Sequence, residues 1–235
     1  MTLHSRFGAS AAHRWMRCPG SIQASEGLPN VSSEFAAEGT LLHGVAEDIL
    51  RGGGATPAVG LTDEQWDVVR AYVSFVRDCA KGGNLFIENR FKLAAHPEFW
   101  GTADAVVQKP GAELHVIDLK CGRGVAVEVD YGGRINPQLG FYALGALSLF
   151  PGPYGKIFTH VVQPRLGGVK SREVTLDELS ELQAELLRAA ANACRRCGMV
   201  HSCWEPCFSQ ARCSTTCRQP RRARNRSRAG SSPTP

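Results

Sequence analysis

Residues 100–120 read Trp-Gly-Thr-Ala-Asp-Ala-Val-Val-Gln-Lys-Pro-Gly-Ala-Glu-Leu-His-Val-Ile-Asp-Leu-Lys. Two β-type runs, Trp100 to Gln108 and Glu113 to Lys120, flank the turn-like Lys109-Pro110-Gly111-Ala112, so the stretch is a hairpin. With the turn centred on Gly111, antiparallel partners have numbers that sum to 222, and Asp104 lies opposite Asp118. Directly opposed residues have Cβ atoms about 4.5–5.5 Å apart, and like charges there repel, so something positive belongs between them. Lys120, two residues beyond Asp118, points to the same face. Two carboxylates and an ammonium converging on one face form a set that holds a divalent metal and activates a water. The plainer reading has each acid ending a strand in solvent with Lys120 as a rim charge. The apolar setting (Ala103, Ala105, Val106, Val107; Val116, Ile117, Leu119) weighs against it, because buried charges without a partner are costly. The inference depends on register, since a slip of one residue sends Asp118 to the opposite face.

Upstream the pattern is helical. Ser10 can cap a short helix to Arg17; Ser32 or Ser33 can cap a longer one ending at Leu50 before Gly52, Gly53 and Gly54. Thr62 with Gln65 makes a capping box for a third helix, with Trp66, Val69, Val73 and Val76 as its apolar stripe. From Leu85 the period becomes two, with Leu85, Ile87, Phe91 and Leu93 alternating with Glu88, Arg90 and Lys92, a half-buried strand. Downstream, Val125, Val127 and Val129 can extend the sheet. Asn136 as cap and Pro137 at the first position open an apolar helix to about Phe150. Lys156 to Gln163 is a strand, and Thr175 with Glu178 caps a last helix bearing Leu176, Leu179, Leu182 and Leu186. The order predicts an α/β fold with a mixed central sheet flanked by helices and a helical N-terminal segment.

Of the 235 residues, 43% are hydrophobic and 21% charged, enough for one sizeable core. No window has the ~18 uninterrupted apolar residues of a membrane span, and the N-terminus lacks a signal-type apolar stretch, so a cytoplasmic protein is expected. The net charge of +5 is uneven: residues 195–235 carry nine arginines against Glu205, which leaves the body slightly acidic. Nucleic-acid binding therefore has to be argued from a site, not from total charge. Beyond about Glu205 the run is arginine, serine, proline and cysteine, which reads as a disordered tail or a non-native end. The expected organisation is an N-terminal helix and loop over 1–32, a core over 33–193 and a Cys-rich then basic tail over 194–235.

On the flanking helices, His43 and Glu47 sit one turn apart, as do Gln138 and Tyr142. Alone, the first reads as a surface pair and the second as core. Together the sequence Gly39-Thr40-Leu41-Leu42-His43 with Glu47, Gly101-Thr102-Ala103-Asp104, Ile117-Asp118-Leu119-Lys120, and Gln138 with Tyr142 resembles the successive motifs of the RecB-like branch of the PD-(D/E)XK nuclease superfamily, over roughly residues 9–203. Members encoded by phages and prophages are the most similar, through Ser10-Ala11-Ala12-His13-Arg14-Trp15, Cys18-Pro19-Gly20-Ser21 and Asn136-Pro137-Gln138-Leu139.

The resemblance implies a restriction-endonuclease-like core and a Mg²⁺- or Mn²⁺-dependent DNA nuclease, an exonuclease or processing enzyme of phage recombination or replication, with phage or host recombination proteins as partners. It implies His43, Asp104, Asp118 and the Leu119 backbone carbonyl as metal ligands, and Lys120 as the residue that positions or deprotonates the attacking water. Gln138 and Tyr142 would steady the DNA strand. Some RecB-like nucleases hold an iron-sulfur cluster with one cysteine before the first motif and three after the last, and Cys18 with Cys194, Cys197 and Cys203 repeats that layout. Four thiolates also suit zinc. Two other classes stay open: a catalytically inactive nucleic-acid-binding or assembly subunit that retains the fold, and a zinc-binding module centred on the cysteines.

Overall fold

The Pro110-Gly111 turn folds in the expected register, with Ala105 opposite Ile117 and Asp104 and Asp118 as the next positions on the two strands. In the computed structural model, which describes residues 5–25, 33–53 and 60–194, β2 (Trp100–Lys109) and β3 (Glu113–Leu119) pair antiparallel from Ala105 with Ile117 to Lys109 with Glu113. Gly111 supplies the positive φ of 73° that the turn needs. On the other side of β2 lies β1 (Asn84–Lys92), also antiparallel. β3 pairs parallel with β6 (Lys156–Gln163), reached through α5 (Pro137–Leu149), and β7 (Gly168–Val174) closes the far edge. The sheet is therefore mixed, with order β1-β2-β3-β6-β7.

Each face of the sheet has its own helical layer. α3 (Glu34–Leu50) and α4 (Asp63–Ala80) pack Leu42, Val69, Val73 and Val76 against Ala105, Val107, Ile117 and Leu119. The opposite face, with Val106, Leu114 and Val116, is covered by α5, by α6 (Leu176–Cys194) and by the N-terminal segment. That segment comprises a 3₁₀ turn over Ala9–Ala11, α1 (Ala12–Arg17) and α2 (Ser21–Ser25). Its Phe7 and Trp15 are fully buried in the cluster that also holds Phe141 and Leu182. The observed class is the expected one: α/β, a mixed sheet flanked by helices, a helical N-terminal segment.

Most helix starts follow the cap chemistry. The Ser33 side chain accepts from Ala36 N at 3.2 Å, Thr62 and Gln65 form both halves of a capping box, and Asn136 accepts from Gln138 N at 2.9 Å with Pro137 in the first turn. Ser10 is not a cap; it lies inside the 3₁₀ turn, and α1 begins after Ala11 with no side-chain cap. The Val125–Val129 segment does not join the sheet either. Gln163, fully buried, takes its backbone groups instead: Oε1 accepts from Val127 N at 2.8 Å, and Nε2 donates to Gly122 O at 3.1 Å and Val125 O at 3.0 Å. Val125 is left 78% exposed. A separate short hairpin follows, β4 (Asp130–Tyr131) with β5 (Arg134–Ile135), turned by Gly132 and Gly133 at positive φ.

Candidate metal and catalytic site

The site forms where the sheet changes phase. In β1, Leu85 packs toward α3 and α4 and Phe86 toward α5, yet Phe91, of the same parity as Leu85, packs toward α5. β2 does the same, with Ala105 and Val107 on the α3 and α4 side but Ala103 on the α5 side. Pairing is kept across the break, Ile87 with Ala105 and Asn89 with Ala103, and Glu88 and Asp104 stand between these pairs. Glu88 has φ +48°, alone in this region among the described non-glycine residues. Such a conformation is costly for a glutamate and concentrates at functional sites. This corrects the expectation that Asp104, Asp118 and Lys120 share one face: the phase shift turns Asp104 to α3, while Asp118 and Lys120 stay on the α5 side.

On the α5 side, Lys120 Nζ lies 2.6 Å from Asp118 Oδ2, and the Asp118 side chain is 2% exposed. Gln138 Nε2 donates to Asp118 Oδ1 at 3.1 Å and to the Tyr142 hydroxyl at 2.9 Å, so the two α5 residues one turn apart act together. Burial drives the Asp118 carboxyl above its ordinary range, with Asp104 adding to the rise and Lys120 pulling it back. Burial also opposes the charge on Lys120, but Asp118 and Asp104 outweigh it and hold the ammonium above its usual value.

On the α3 side, Asp104 Oδ2 accepts from Leu119 N at 2.7 Å, and Asp104 Oδ1 is 3.5 Å from His43 Nδ1. Burial works against protonation of His43, yet hydrogen bonds to Asp104 and Cys121 prevail and lift it to about 11. Glu88 is raised to about 7, first by burial and then by Asp104. Tyr72 of α4 completes this cleft with Glu47 and Leu119; its hydroxyl is buried and has no hydrogen-bond partner. Burial and the charges of Asp104, Asp118 and Glu88 keep that hydroxyl protonated.

The ligating atoms of His43, Glu88 and Asp104 lie within 4.8 Å of one another. Two crowded carboxylates, an imidazole and an orphaned donor fit a divalent cation of the Mg²⁺ or Mn²⁺ type, which would neutralise the acids and displace the His43 proton. Glu88 and Tyr72 are the site members that sequence reasoning missed. Glu47 lines the cleft but pairs with Arg51, 2.9 Å away. Cys18 is buried after α1; Cys197 and Cys203 lie outside the described residues, as does the side chain of Cys194.

Sheet order and helical layers define an α/β fold with a mixed five-stranded sheet between two helical layers. A solved structure from Eubacterium rectale named "Putative exonuclease" superposes with a TM-score of 0.51, 9% identity and 80% of each chain covered. An alkaline exonuclease (LHK-Exo) from Laribacter hongkongensis matches at a TM-score of 0.36, 11% identity, over 77% of this chain and 92% of that one. The chain belongs to the family described as protein of unknown function (DUF2800), whose model matches residues 4–231. Among the described residues no helix is long and apolar enough to cross a membrane.

Proposed function

We propose that this protein is a divalent-metal-dependent DNA nuclease of the RecB-like PD-(D/E)XK type, acting as an exonuclease or processing enzyme in phage recombination or replication. The observation that carries the reading is the His43, Glu88 and Asp104 cluster in the cleft that holds the unpartnered Tyr72 hydroxyl, with the buried Asp118–Lys120 pair on the strand next to Asp104. Mg²⁺ or Mn²⁺ would be held by His43, Asp104, Asp118 and the Leu119 carbonyl, with Glu88 added to that set. When bound, the ion supplies Lewis-acid charge at the scissile phosphate.

The chain's own groups do the rest. Lys120 Nζ orients the attacking water and sets its positive charge against the charge that builds on the phosphate. Asp118 keeps that ammonium in place, and Gln138 fixes the carboxylate through Oδ1. Because the Tyr142 oxygen already accepts from Gln138, its O–H remains available to a DNA phosphate. The core over 33–193 carries this machinery behind an N-terminal helix and loop.

Cys18, Cys194, Cys197 and Cys203 are proposed as ligands of an iron-sulfur cluster. In support, Gln23 Nε2 donates to Ala193 O at 3.4 Å, which ties the N-terminal segment to the end of α6.

The test is degradation of linear DNA by the full-length protein with Mn²⁺. EDTA should stop it, and Asp118→Asn and Lys120→Ala should each lose roughly a hundredfold or more in rate while keeping the parent circular dichroism spectrum. Equal cleavage by both folded variants would remove the reading, and matched RNA and circular DNA substrates report the substrate class.

A further inference from the structure

One cluster of metal-binding side chains stands apart from the nuclease site. Cys79 near the end of α4, His115 of β3 and His160 of β6 bring their ligating atoms within 4.8 Å of one another. Both imidazoles are buried, and Cys79 is half-buried. The rings are held edge to edge by aromatic packing: Phe158 stacks on His115 at 5.1 Å, and Phe75 meets His160 edge-on at 5.2 Å. His115 Nε2 is 3.0 Å from Glu113 Oε2, and His160 Nδ1 is 2.7 Å from Ser171 Oγ. These outer contacts leave His115 Nδ1 and His160 Nε2 facing each other at 3.0 Å.

We propose that Cys79, His115 and His160 form a second metal site, of the zinc class, with a water in the fourth position. Each imidazole that binds a metal commonly gives its other N–H to a carboxylate or another oxygen, which fixes the tautomer and raises ligand basicity. His115 has that arrangement with Glu113, and His160 with Ser171. Without an ion the two inner nitrogens share one N–H···N hydrogen bond with the Cys79 sulfur beside them; an ion would replace that proton and the thiol proton and take both nitrogens and the thiolate as ligands. Zinc at about 2.0–2.1 Å from nitrogen sets tetrahedral nitrogens roughly 3.4 Å apart, so a small ring rotation opens the 3.0 Å pair far enough. Glu113 is held on the outer side of His115 by Lys109, 2.9 Å away, and Cys79, the half-buried member, is the side from which a water would enter as the fourth ligand.

The ligand type separates this site from the nuclease centre. Thiolate and imidazole select zinc over magnesium, while the carboxylates of Asp104, Glu88 and Asp118 select the harder ion. The two sites share elements: Tyr72 and Cys79 lie on α4 about 10 Å apart along its axis, and Asp118 and His115 lie about 10 Å apart on β3. A zinc ion there would pin the far end of α4 to β3 and β6, a structural role that leaves hydrolysis to the other end.

The experiment is a Co²⁺ titration of the metal-stripped full-length protein in excess Mg²⁺, followed by thiolate charge-transfer absorption, with Zn²⁺-dependent melting alongside. Cys79→Ser should bind one equivalent fewer than the parent, or bind it roughly a hundredfold more weakly, and should lose part of the Zn²⁺-dependent rise in melting temperature; Glu113→Gln should weaken the same site about tenfold. Mn²⁺-dependent DNA cleavage should be unchanged in Cys79→Ser, which separates this proposal from the nuclease reading. His160→Gln should reproduce the lost equivalent; if it does not fold, half-buried Cys79→Ser decides alone. Equal Co²⁺ stoichiometry, affinity and Zn²⁺ response in Cys79→Ser and the parent would overturn the proposal.

Discussion

Two carboxylate groups reached by α3 stand in opposite electrostatic condition. Near its start, Glu38 meets Arg165, whose Nη2 lies 2.7 Å from Oε1 and whose Nη1 lies 3.2 Å from Oε2; the same Nη1 donates to Cys121 O at 2.6 Å. Arg165 Nε is 3.2 Å from Glu64 of α4, and the arginine side chain is 5% exposed. Between one and two turns along the helix, His43 meets Asp104 with Glu88 close by, and Arg51, the arginine that acts on Glu88, is paired with Glu47 at 2.9 Å. The pKa shifts follow the partners. The Arg165 hydrogen bond, ahead of that from Gln65, holds Glu38 down to about 2, whereas burial and then Asp104 raise Glu88 to about 7. Carboxylates that hold elements together are paired within the chain; those left crowded are the ones that the proposed cation would neutralise.

The contrast is broken most severely at Arg165. Arg165→Met leaves Glu38, Glu64 and the Cys121 carbonyl without their shared donor, and should cost about 3 kcal/mol in urea or thermal unfolding. Because Glu38 is depressed in the folded state, its contribution is present above the ordinary carboxylate value and is lost as pH falls toward 2; the variant should show a flatter loss over that window.

Glu88 tests the opposite sign, with a smaller effect. Its folded value is raised, so the protein binds the extra proton below about pH 7, and stability falls as pH rises through that value. Glu88→Gln should therefore be more stable than the parent by about 1–2 kcal/mol at pH 8 without divalent ions, and the difference should vanish near pH 4. Millimolar Mg²⁺ should close the gap at pH 8 by stabilising the parent. A gap that ignores both pH and Mg²⁺ would mean that the strain at Glu88 is unrelated to charge.

Much of this was legible before any coordinates, and for identifiable reasons. A Pro-Gly turn between two β-type runs fixes one register, which brings Asp104 and Asp118 to neighbouring strands and sets Lys120 beside Asp118; the single shared face it also implied is undone by the phase shift at Glu88 and Asp104. Helical spacing likewise sets Tyr142 one turn from Gln138, whose amide bonds both the Tyr142 hydroxyl and the Asp118 carboxylate. Glu88 was not legible, because a period-two reading assigns it to the solvent face with Arg90 and Lys92. Nothing in a glutamate announces φ +48° or a sheet that shifts phase in two strands at once. Tyr72 sits within the buried face of α4 and reads as an ordinary core aromatic, since the isolation of its hydroxyl depends on which neighbours are acids. β7 was missed because its residues Lys170, Arg172 and Glu173 put charge on both faces of an edge strand, and the Val125–Val129 alternation misled because one buried glutamine, Gln163, outcompetes the sheet for its backbone.

The central claim is that the crowded acids await a cation, and the position of a bound ion tests it most directly. Crystals of the full-length protein soaked in Mn²⁺ should give an anomalous peak about 2.0–2.4 Å from carboxylate oxygens of Asp104 and Glu88 and near the His43 imidazole. In Asp104→Asn crystals the peak should be lost. A fully soaked parent crystal with no manganese at that end of the sheet, or with manganese only at exposed surface acids, would contradict it.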